Sequence, residues 1–252
     1  IVIVSVGLFV VPLFSLFVYS FYTHTPGRIM EPILTLNNYR KFFSDPFFLG
    51  VLWTTIRIGI VTTLTTILLA YPLAYYFARY PRFRGLQMAL LVSPLLVNIV
   101  IRVYGWRVLL AEQGLVNRAL LTIGIIHEPL QLMNSMTGII ISLVHVLLPY
   151  MVLSIATALE GIDQSVEEAA ATLGAPRWEV FRRVLVPLST PGIVAGSILV
   201  FTLAAGSFIA PALMGGGMVQ TIPTLMYQYS IGLLNWPFGA ALAFIMAALT
   251  LT

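Results

Sequence analysis

Side chains that could do chemistry are scarce in this sequence, and many of them lie in one segment. Of its 22 charged residues (13 Lys and Arg, 9 Asp and Glu), eight lie between Glu160 and Arg183. The sequence on either side of this segment is apolar, and residues 184–252 contain no charged side chain at all. This contrast predicts a polar connection between two apolar elements, with charges that face water or a partner.

Elsewhere, the residue types that catalysis needs do not occur together. The histidines His24, His127 and His145 lie far apart, and His127-Glu128 is not followed by a second histidine at helical spacing. Intramembrane hydrolysis would need a metal motif, paired aspartates or a nucleophile with its base, and we find none of these motifs. The only lysine is Lys41, so no glycine-rich loop carries the lysine that reaches nucleotide phosphates. We therefore expect no catalytic, metal or cofactor site in this chain; if ATP powers its function, other subunits bind the ATP and magnesium.

The elements that position these residues are predicted to be membrane spans. The chain is 59% hydrophobic and 9% charged, with a mean hydropathy of +0.97, whereas soluble domains average roughly 25% charged residues. About 20 helical residues cross the hydrocarbon layer, and long continuous apolar runs favour helices over barrel strands. The sequence predicts an all-α polytopic membrane protein with residues 1–252 in one domain. Its six predicted spans are about 1–22, 49–78, 86–106, 137–159, 191–213 and 237–252.

The ends and the orientation of the chain are less constrained. The first apolar stretch exceeds the roughly 7 to 15 residue core of a signal peptide, so we interpret it as a retained span. The chain begins on Ile, and the sixth span stops after about 16 residues, so we expect further residues at both ends. If the start is cytoplasmic, the basic residues give a weak positive-inside bias. The inside set is Arg79, Arg82, Arg84, Arg177, Arg182 and Arg183, and the outside set is Arg28, Arg40, Lys41, Arg107 and Arg118.

Residues 160–190, which we call the hairpin, are predicted to form two short helices. Ser165 with Glu168 fits a capping box at the start of the first helix. Residues 169–171 are all alanine, which favours a helix with a smooth and narrow surface. Gly174 can adopt the left-handed conformation that ends such a helix.

The second helix of the hairpin follows the turn Gly-Ala-Pro. Pro176 suits its first turn, and Pro187 marks the entry into the fifth span. The apolar residues at three-residue spacing form a stripe opposite Arg177, Arg182 and Arg183; they are Trp178, Phe181 and Val184. Composition alone is also compatible with a solvated amphipathic loop at the membrane surface.

The spacing within the hairpin favours a specific function. Glu168-Ala169-Ala170, three residues, Gly174, nine residues, and then Val-x-Val-Pro at 184–187 resembles the EAA motif of ABC importer permeases. Residues 184 and 186 depart from that motif only by valine in place of isoleucine and leucine. The segments TLNNYRKFF, IRVYGW, GLVNRALLTIG and NWPFGAA are similar to permeases of spermidine/putrescine importers. The resemblance therefore extends over about residues 34–245.

The resemblance implies a type I importer permease fold (MetI-like) in the bacterial plasma, or inner, membrane. It also implies a second homologous permease, two ATP-binding subunits and an extracytoplasmic substrate-binding protein as partners. The hairpin would then be a cytoplasmic coupling loop seated in a cleft of the ATPase. The residues expected to couple are Glu168, Ala169, Ala170, Gly174, Ala175, Pro176, Arg177 and Pro187. The small alanine side chains would let the first helix lie deep in the ATPase cleft, and Glu168 could form a charge-assisted hydrogen bond with a basic residue of the ATPase. Gly174 permits the sharp turn by which the chain leaves the cleft.

Polar and aromatic groups within spans, or at their ends, are costly and so are candidates for a solute pathway. These are Trp53, Arg57, Asn98, Arg102, Tyr104, Trp106, His145, Tyr150, Ser207 and Tyr227. Each has a structural alternative: an arginine can reach lipid headgroups, Trp106 suits the interfacial belt, and His145 can bond a neighbouring helix. Because the arginines mostly lie at span ends, lipid rather than nucleic acid is the expected partner of the positive charge.

Two helix-packing features accompany these candidates. Gly192 and Gly196 form G-x-x-x-G, which favours close helix contact. Four prolines interrupt predicted spans and would serve either for bending or as static kinks. They are Pro72, Pro94, Pro149 and Pro211.

The substrate remains open at this point. A polyamine site is expected to include carboxylates or an aromatic box, and no predicted span contains a carboxylate. Either the partner permease supplies the acid, or the solute is an opine, another amino-acid derivative or a phosphonate, which Arg57, Arg102 and His145 would suit. An ion-gradient carrier is less favoured, since such carriers use buried acids or unwound backbone. A structural membrane adaptor is the remaining alternative and would show no uptake defect when deleted.

Overall fold

Apolar helices make up most of the chain in this computed structural model, which describes residues 2–25, 28–80 and 84–251. The helices before the hairpin are α1 (Val2–Tyr19), α2 (Asn37–Ser44), α3 (Pro46–Arg79), α4 (Arg84–Leu96), α5 (Ile99–Leu109), α6 (Leu115–Thr122) and α7 (Met136–Glu160). The later helices are α8 (Gln164–Thr172), α9 (Arg177–Val180), α10 (Val186–Leu188), α11 (Thr190–Ala205), α12 (Ile209–Met214), α13 (Ile222–Tyr227) and α14 (Trp236–Leu251). Two π-helical turns, Phe181–Leu185 and Gln228–Gly232, interrupt the second group. The predominantly helical architecture confirms the predicted fold class.

A short antiparallel ribbon follows α1 and was not predicted. Its strands are β1 (Thr23–Thr25) and β2 (Arg28–Glu31), with Thr23 opposite Glu31 and an irregular register along the pair. The ribbon is too short to alter the fold class.

Helix α3 is the longest element, with 34 residues or about 51 Å of rise. Asp45 caps its start, since the carboxylate accepts the Phe47 backbone N–H at 2.9 Å, and Pro46 occupies the first turn. The buried residues Thr55, Thr63 and Thr66 each donate a hydroxyl hydrogen bond to the carbonyl four residues earlier, as Thr66 does to Thr62 at 2.7 Å. Because these hydroxyl groups form hydrogen bonds within their own helix, polar residues can lie in an apolar span.

Helices α3, α7 and α11 pack together and form the main core. The core side chains include Ile58 on α3, Met151 and Ile155 on α7, and Val200 on α11, all at most 1% exposed. A Cβ at Gly59 would lie 2.7 Å from the Phe201 ring, so a larger residue where α3 meets α11 would force this ring to move.

The predicted close contact at G-x-x-x-G is confirmed on the other side of α11. A Cβ at Gly192 would lie 2.5 Å from the Ala158 Cβ, and one at Gly196 would lie 2.6 Å from the Met151 sulfur. Helices α7 and α11 therefore meet along a glycine-lined contact.

A second apolar cluster joins the start of α3 to α2, α13 and α14. It is rich in aromatic side chains, and Phe42, Phe48 and Phe238 are each at most 2% exposed. Thr55 links α3 to α13 by accepting the Ile222 backbone N–H at 3.0 Å. This cluster lies at the end of α3 opposite the hairpin.

Two predicted spans are interrupted. The span predicted at 86–106 consists of α4 and α5, which bend by 93° between Leu96 and Ile99. Asn98 caps α5 at this break and Pro94 closely precedes it, which explains why one continuous helix cannot form.

The span predicted at 191–213 is also wrong in its extent. Helix α11 ends at Ala205 after 16 residues, and Pro211 lies in the separate helix α12. By contrast, α3 and α7 continue through Pro72 and Pro149.

Length and apolarity identify membrane-spanning candidates within the described residues. Helices α3 and α7 are each long and apolar enough to cross a membrane. The number rises to four if each of two bent pairs, α4 with α5 and Arg177–Leu188 with α11, is counted as one span. Two shorter apolar helices are Val10–Tyr19, the last part of α1, and Trp236–Leu251, which is α14. The six-span count therefore stays a prediction.

Candidate functional site

The hairpin leaves α7 at Glu160 and returns to the apolar core at α11. Gly174 ends α8 with φ +84°, the predicted left-handed conformation. The Ala175 backbone N–H donates to the Ala170 carbonyl at 3.1 Å across this turn. Glycine is needed here because other residues adopt this backbone conformation at a cost.

The predicted capping box between Ser165 and Glu168 is wrong. Asp163 caps α8, since its carboxylate accepts the Ser165 backbone N–H at 2.8 Å. Hydrogen bonds from the Ser165 backbone and hydroxyl lower the pKa of Asp163, and the positive charge of Arg79 adds to this effect. The helix starts two residues earlier than predicted because an ionised aspartate caps the free N–H groups there.

The predicted apolar stripe of the second helix is also only partly correct. Trp178 is 67% exposed, while Val180 and Leu185 are buried. The π-helical turn at Phe181–Leu185 widens the helix, so a three-residue period no longer follows one face. Pro176 forms the N-cap of α9 rather than part of its first turn.

The predicted coupling residues are all at least partly exposed on the hairpin, and three of them, Glu168, Ala175 and Arg177, also line a cavity that faces α3. Six of them are exposed and two are half-buried. The exposed residues are Glu168, Ala169, Gly174, Pro176, Arg177 and Pro187; the half-buried ones are Ala170 and Ala175. Leu173, which the sequence analysis missed, is 89% exposed beside them. The surface combines a carboxylate, small residues and unburied apolar groups, a mixture typical of a protein-binding face.

The inner side of the hairpin is bonded to α3 by groups that were not predicted. Arg79 Nε donates to Glu167 Oε1 at 2.6 Å, and Arg79 Nη1 donates to the Ile162 carbonyl at 3.0 Å. Tyr75 donates its hydroxyl to Glu167 Oε2 at 3.0 Å. The Tyr71 hydroxyl lies 2.9 Å from the Ser189 hydroxyl.

A signal for these bonds exists in the sequence. Tyr71, Tyr75 and Arg79 recur every four residues, which places them on one face of α3. Polar groups at helical spacing in a mostly apolar span indicate a bonded face, but nothing in the sequence identifies the partner.

A cavity of about 920 Å³ separates part of the hairpin from α3. Its lining includes Tyr71 and Tyr75 from α3 and Glu167, Trp178 and Phe181 from the hairpin. Helix α8 contains no buried residue. Polar bonds rather than apolar packing therefore connect α8 to α3.

Three pathway candidates lie close together between α5 and α7. The Trp106 and His145 rings meet edge to face at 5.5 Å, and Arg102 lies one turn before Trp106 on α5. The Nε and Nη1 atoms of Arg102 are buried and have no hydrogen-bond partner within the described residues. The guanidinium can therefore donate hydrogen bonds to an anionic or carbonyl oxygen from outside this chain.

The other candidates are dispersed. Tyr227 stacks on Phe208 at 4.9 Å, next in sequence to the half-buried Ser207. Within the described residues, no side-chain hydrogen bond or ring contact joins the remaining candidates to either group; they are Trp53, Arg57, Asn98, Tyr104 and Tyr150. Of these, Asn98 acts as a helix cap by accepting the Val100 N–H at 2.8 Å.

Asn117 is a further residue that the sequence analysis did not single out. It is fully buried, accepts the Leu130 N–H, and donates to the carbonyls of Ala111 and Leu130. It thus holds the connection between α5 and α7 in place, within the segment GLVNRALLTIG.

Comparisons with known proteins agree with this geometry. Residues 60–252 match the family model described as binding-protein-dependent transport system inner membrane component. The spermidine/putrescine transport system permease protein PotB of Escherichia coli strain K12 is 36% identical over 223 residues, which cover 88% of this chain and 81% of PotB.

Two solved structures share the fold. A chain of a bacterial ABC transporter that imports the acidic polysaccharide alginate is similar with a TM-score of 0.73 and 18% identity, covering 99% of this chain and 88% of that one. The MetNI methionine ABC transporter, in an inward-facing conformation, is similar with a TM-score of 0.56 and 19% identity, covering 79% of this chain and 87% of that one.

Proposed function

The chain belongs to the family of binding-protein-dependent transport system inner membrane components and is a permease subunit of an ABC importer, and we propose that its solute is a polyamine such as spermidine or putrescine. It has the type I importer permease fold, is embedded in a membrane, and is a transport component rather than an enzyme. The observation that carries the substrate proposal is the 36% identity to PotB over most of both chains.

The proposed assembly contains two ATP-binding subunits, a second homologous permease and an extracytoplasmic binding protein in the bacterial plasma membrane. The family description, which names a binding protein and an inner membrane, supports this assembly. ATP and magnesium bind the partner subunits, because the only lysine here, Lys41, follows no glycine-rich loop. Residues 1–252 act as one permease domain within it.

The hairpin is the proposed contact with the ATPase. Glu168 is exposed at its outer surface, and Leu173 and Trp178 are 89% and 67% exposed beside it. A cleft on the ATPase would cover these apolar groups and give Glu168 a basic partner. Closure of the ATPases on ATP draws the hairpins together, and the spans then expose the pathway to one side of the membrane at a time.

Purification of the full chain with its native partners, followed by reconstitution in liposomes, tests this proposal. We expect a co-purifying protein with a lysine-bearing nucleotide loop, and spermidine or putrescine uptake that requires ATP and the binding protein. Uptake that follows an ion gradient and ignores ATP would refute the proposal in favour of a secondary carrier.

Replacement of Gly174 tests the coupling surface directly. Gly174→Asp introduces a charged side chain on the proposed docking face, at a position whose backbone φ is +84°. We expect uptake and substrate-stimulated ATPase activity to fall about tenfold or more in an assembled complex, while Thr172→Ser on the same helix leaves both unchanged. Full activity of an assembled Gly174→Asp complex would contradict the coupling role.

A second candidate solute class is favoured by Arg102. Its two buried, unpartnered guanidinium atoms suit a carboxylate or phosphonate, as in an opine or an amino-acid derivative. Binding assays with the purified binding protein separate the classes: retention of a polyamine supports the first, and retention of an anionic solute supports the second. In the polyamine case, the oxygen that binds Arg102 comes from the partner permease.

A further inference from the structure

We infer that Glu167, the neighbour of the outward-facing Glu168, is the positioning residue that joins the hairpin to α3 and carries its movement into the spans. The inference rests on the proposed function, because it concerns how movement of the hairpin reaches the membrane. It assigns different tasks to two adjacent carboxylates.

The two carboxylates both line the cavity between the hairpin and α3, but they differ in exposure and in partners. The Glu167 side chain is 17% exposed, and each of its oxygens is bonded to α3. Glu168 is exposed, and its side chain makes no hydrogen bond or ion pair within the described part of the chain. Successive helical residues are about 100° apart, so one acid can face a partner subunit while the next faces this chain.

The bonds from α3 reach the beginning, middle and end of the hairpin. Arg79 bonds the Ile162 carbonyl near its beginning and Glu167 on α8, while Tyr71 bonds Ser189 at its return. Tyr75 adds the second bond to Glu167. One face of α3 thus holds the hairpin at three separated points.

The environment makes the Arg79–Glu167 pair a strong connection. The Arg79 side chain is only 8% exposed, so water competes weakly for the pair. Charged partners that share hydrogen bonds in such surroundings are costly to separate, because each would be left buried without its counter-charge.

Few other contacts can replace this connection. Helix α8 buries no residue, and the cavity of about 920 Å³ lies between the hairpin and α3. Helix α3 in turn packs along α7 and α11 in the main core. The rest of the hairpin also meets the core, through Leu185 and through the contact of Phe181 with Tyr71 at 5.1 Å. Glu167 provides the direct side-chain connection from α8 itself to α3.

A nearby ion pair provides a matched control. Arg84 Nη2 lies 2.7 Å from Glu160 Oε1, close to the 2.6 Å between Arg79 and Glu167. The Arg84 and Glu160 side chains, however, are 52% and 33% exposed. Water screens this pair, so its loss should have little effect. Arg84→Gln removes it without changing the Glu167 contacts.

The functional experiment compares variants in the reconstituted assembly. With Glu167→Gln, we expect basal ATPase activity to remain while stimulation by the loaded binding protein and solute uptake fall about tenfold. The exchange Glu167→Arg with Arg79→Glu should restore at least part of the loss, and Arg84→Gln should stay within about twofold of the wild type. If solute uptake and stimulated ATPase activity are the same in Glu167→Gln as in an active wild type, the inference is wrong while the proposed function stands.

A second measurement does not depend on ATP. The chain contains no cysteine, so Thr172→Cys and Tyr76→Cys introduce two unique sites for spin labels on α8 and α3. In lipid nanodiscs, we expect a narrow label-to-label distance distribution that broadens on Glu167→Gln and narrows again in the charge exchange. A distribution unchanged by Glu167→Gln overturns the inference even if the assembly hydrolyses no ATP.

Discussion

The two ends of α3 are held in different ways. The hairpin end, Tyr71–Arg79, is held by directional polar bonds to Glu167, Ile162 and Ser189. The opposite end, Asp45–Thr55, is held by the aromatic cluster of Phe42, Phe48 and Phe238. Both ends bury apolar side chains, since Ala74 and Phe77 belong to the main core. The hairpin end differs because it adds these directional bonds to its apolar packing.

A single cation at the opposite end illustrates the contrast. The Lys41 ammonium lies 4.8 Å from the ring centre of Phe238, 5.4 Å from that of Tyr229 and 5.7 Å from that of Phe48. Among the described residues, Arg79 pairs with a carboxylate, whereas the Lys41 ammonium lies over aromatic rings and has no acidic partner. Hydrogen bonds of a charge pair fix one geometry, while ring faces tolerate small shifts. The difference suggests that the hairpin end transmits position and the opposite end supplies stability.

The largest expected effect on stability is at Phe238. Phe238→Ala removes a ring that is 1% exposed and should lower the free energy of unfolding by about 3 kcal/mol. Thermal unfolding in nanodiscs measures the change, with Phe238→Leu as a milder control. Solute uptake and stimulated ATPase activity per folded molecule should be preserved. A loss of these activities without a loss of stability would contradict the proposed difference between the two ends of α3.

Tyr71→Phe should have a smaller effect. It removes the hydroxyl that faces Ser189, but Ser189 still donates to the Leu185 carbonyl at 2.7 Å. Because no buried donor is left without an acceptor, the loss should be about 1 kcal/mol. Unfolding in the same nanodiscs tests this value, and a loss comparable to that of Phe238→Ala would contradict it.

Lys41→Met tests the ring cage around the cation. Methionine keeps an apolar stem of similar reach, so only the attraction between cation and rings is lost, about 0.5 to 1 kcal/mol. Lys41→Arg retains a cation and should remain closer to the wild type in thermal stability. Equal destabilisation by both variants would show that packing, not charge, matters here.

The smallest expected effect is a local pH dependence at Asp163. Its pKa is lowered by the bonds from Ser165, so its capping contribution is present above the unfolded pKa of about 3.9 and is lost as pH falls through the lower folded value. The protection factors for amide hydrogen exchange at the start of α8, which are corrected for the intrinsic pH dependence of exchange, should therefore fall in acid. Asp163→Asn keeps an N-cap that does not titrate and should remove this dependence; an unchanged acid response would assign it to another group.

The sequence predicted features that depend on local patterns. Hydropathy located the apolar helices, and Gly174 ends α8 in the predicted conformation. The glycines at 192 and 196 make the predicted close helix contact. Each of these features follows from composition or from the backbone freedom of one residue.

Features that depend on distant partners were not predicted. Glu167 and Arg79 are 88 residues apart, and neither differs in type from an ordinary surface charge. Ser165 was preferred over Asp163 as a cap because both types cap helices and only the backbone path decides between them. The break at Asn98 escaped prediction because apolar residues continue on both sides of it.

The glycine-lined contact between α7 and α11 determines where this molecule can yield. A methyl group at Gly192 would already collide with Ala158, so the two helices have almost no clearance to slide or rotate against each other. Helices α7 and α11 should therefore move as one rigid unit during any conformational change. We expect bending instead at residues 97–98 and 206–208, where the neighbouring helices are interrupted.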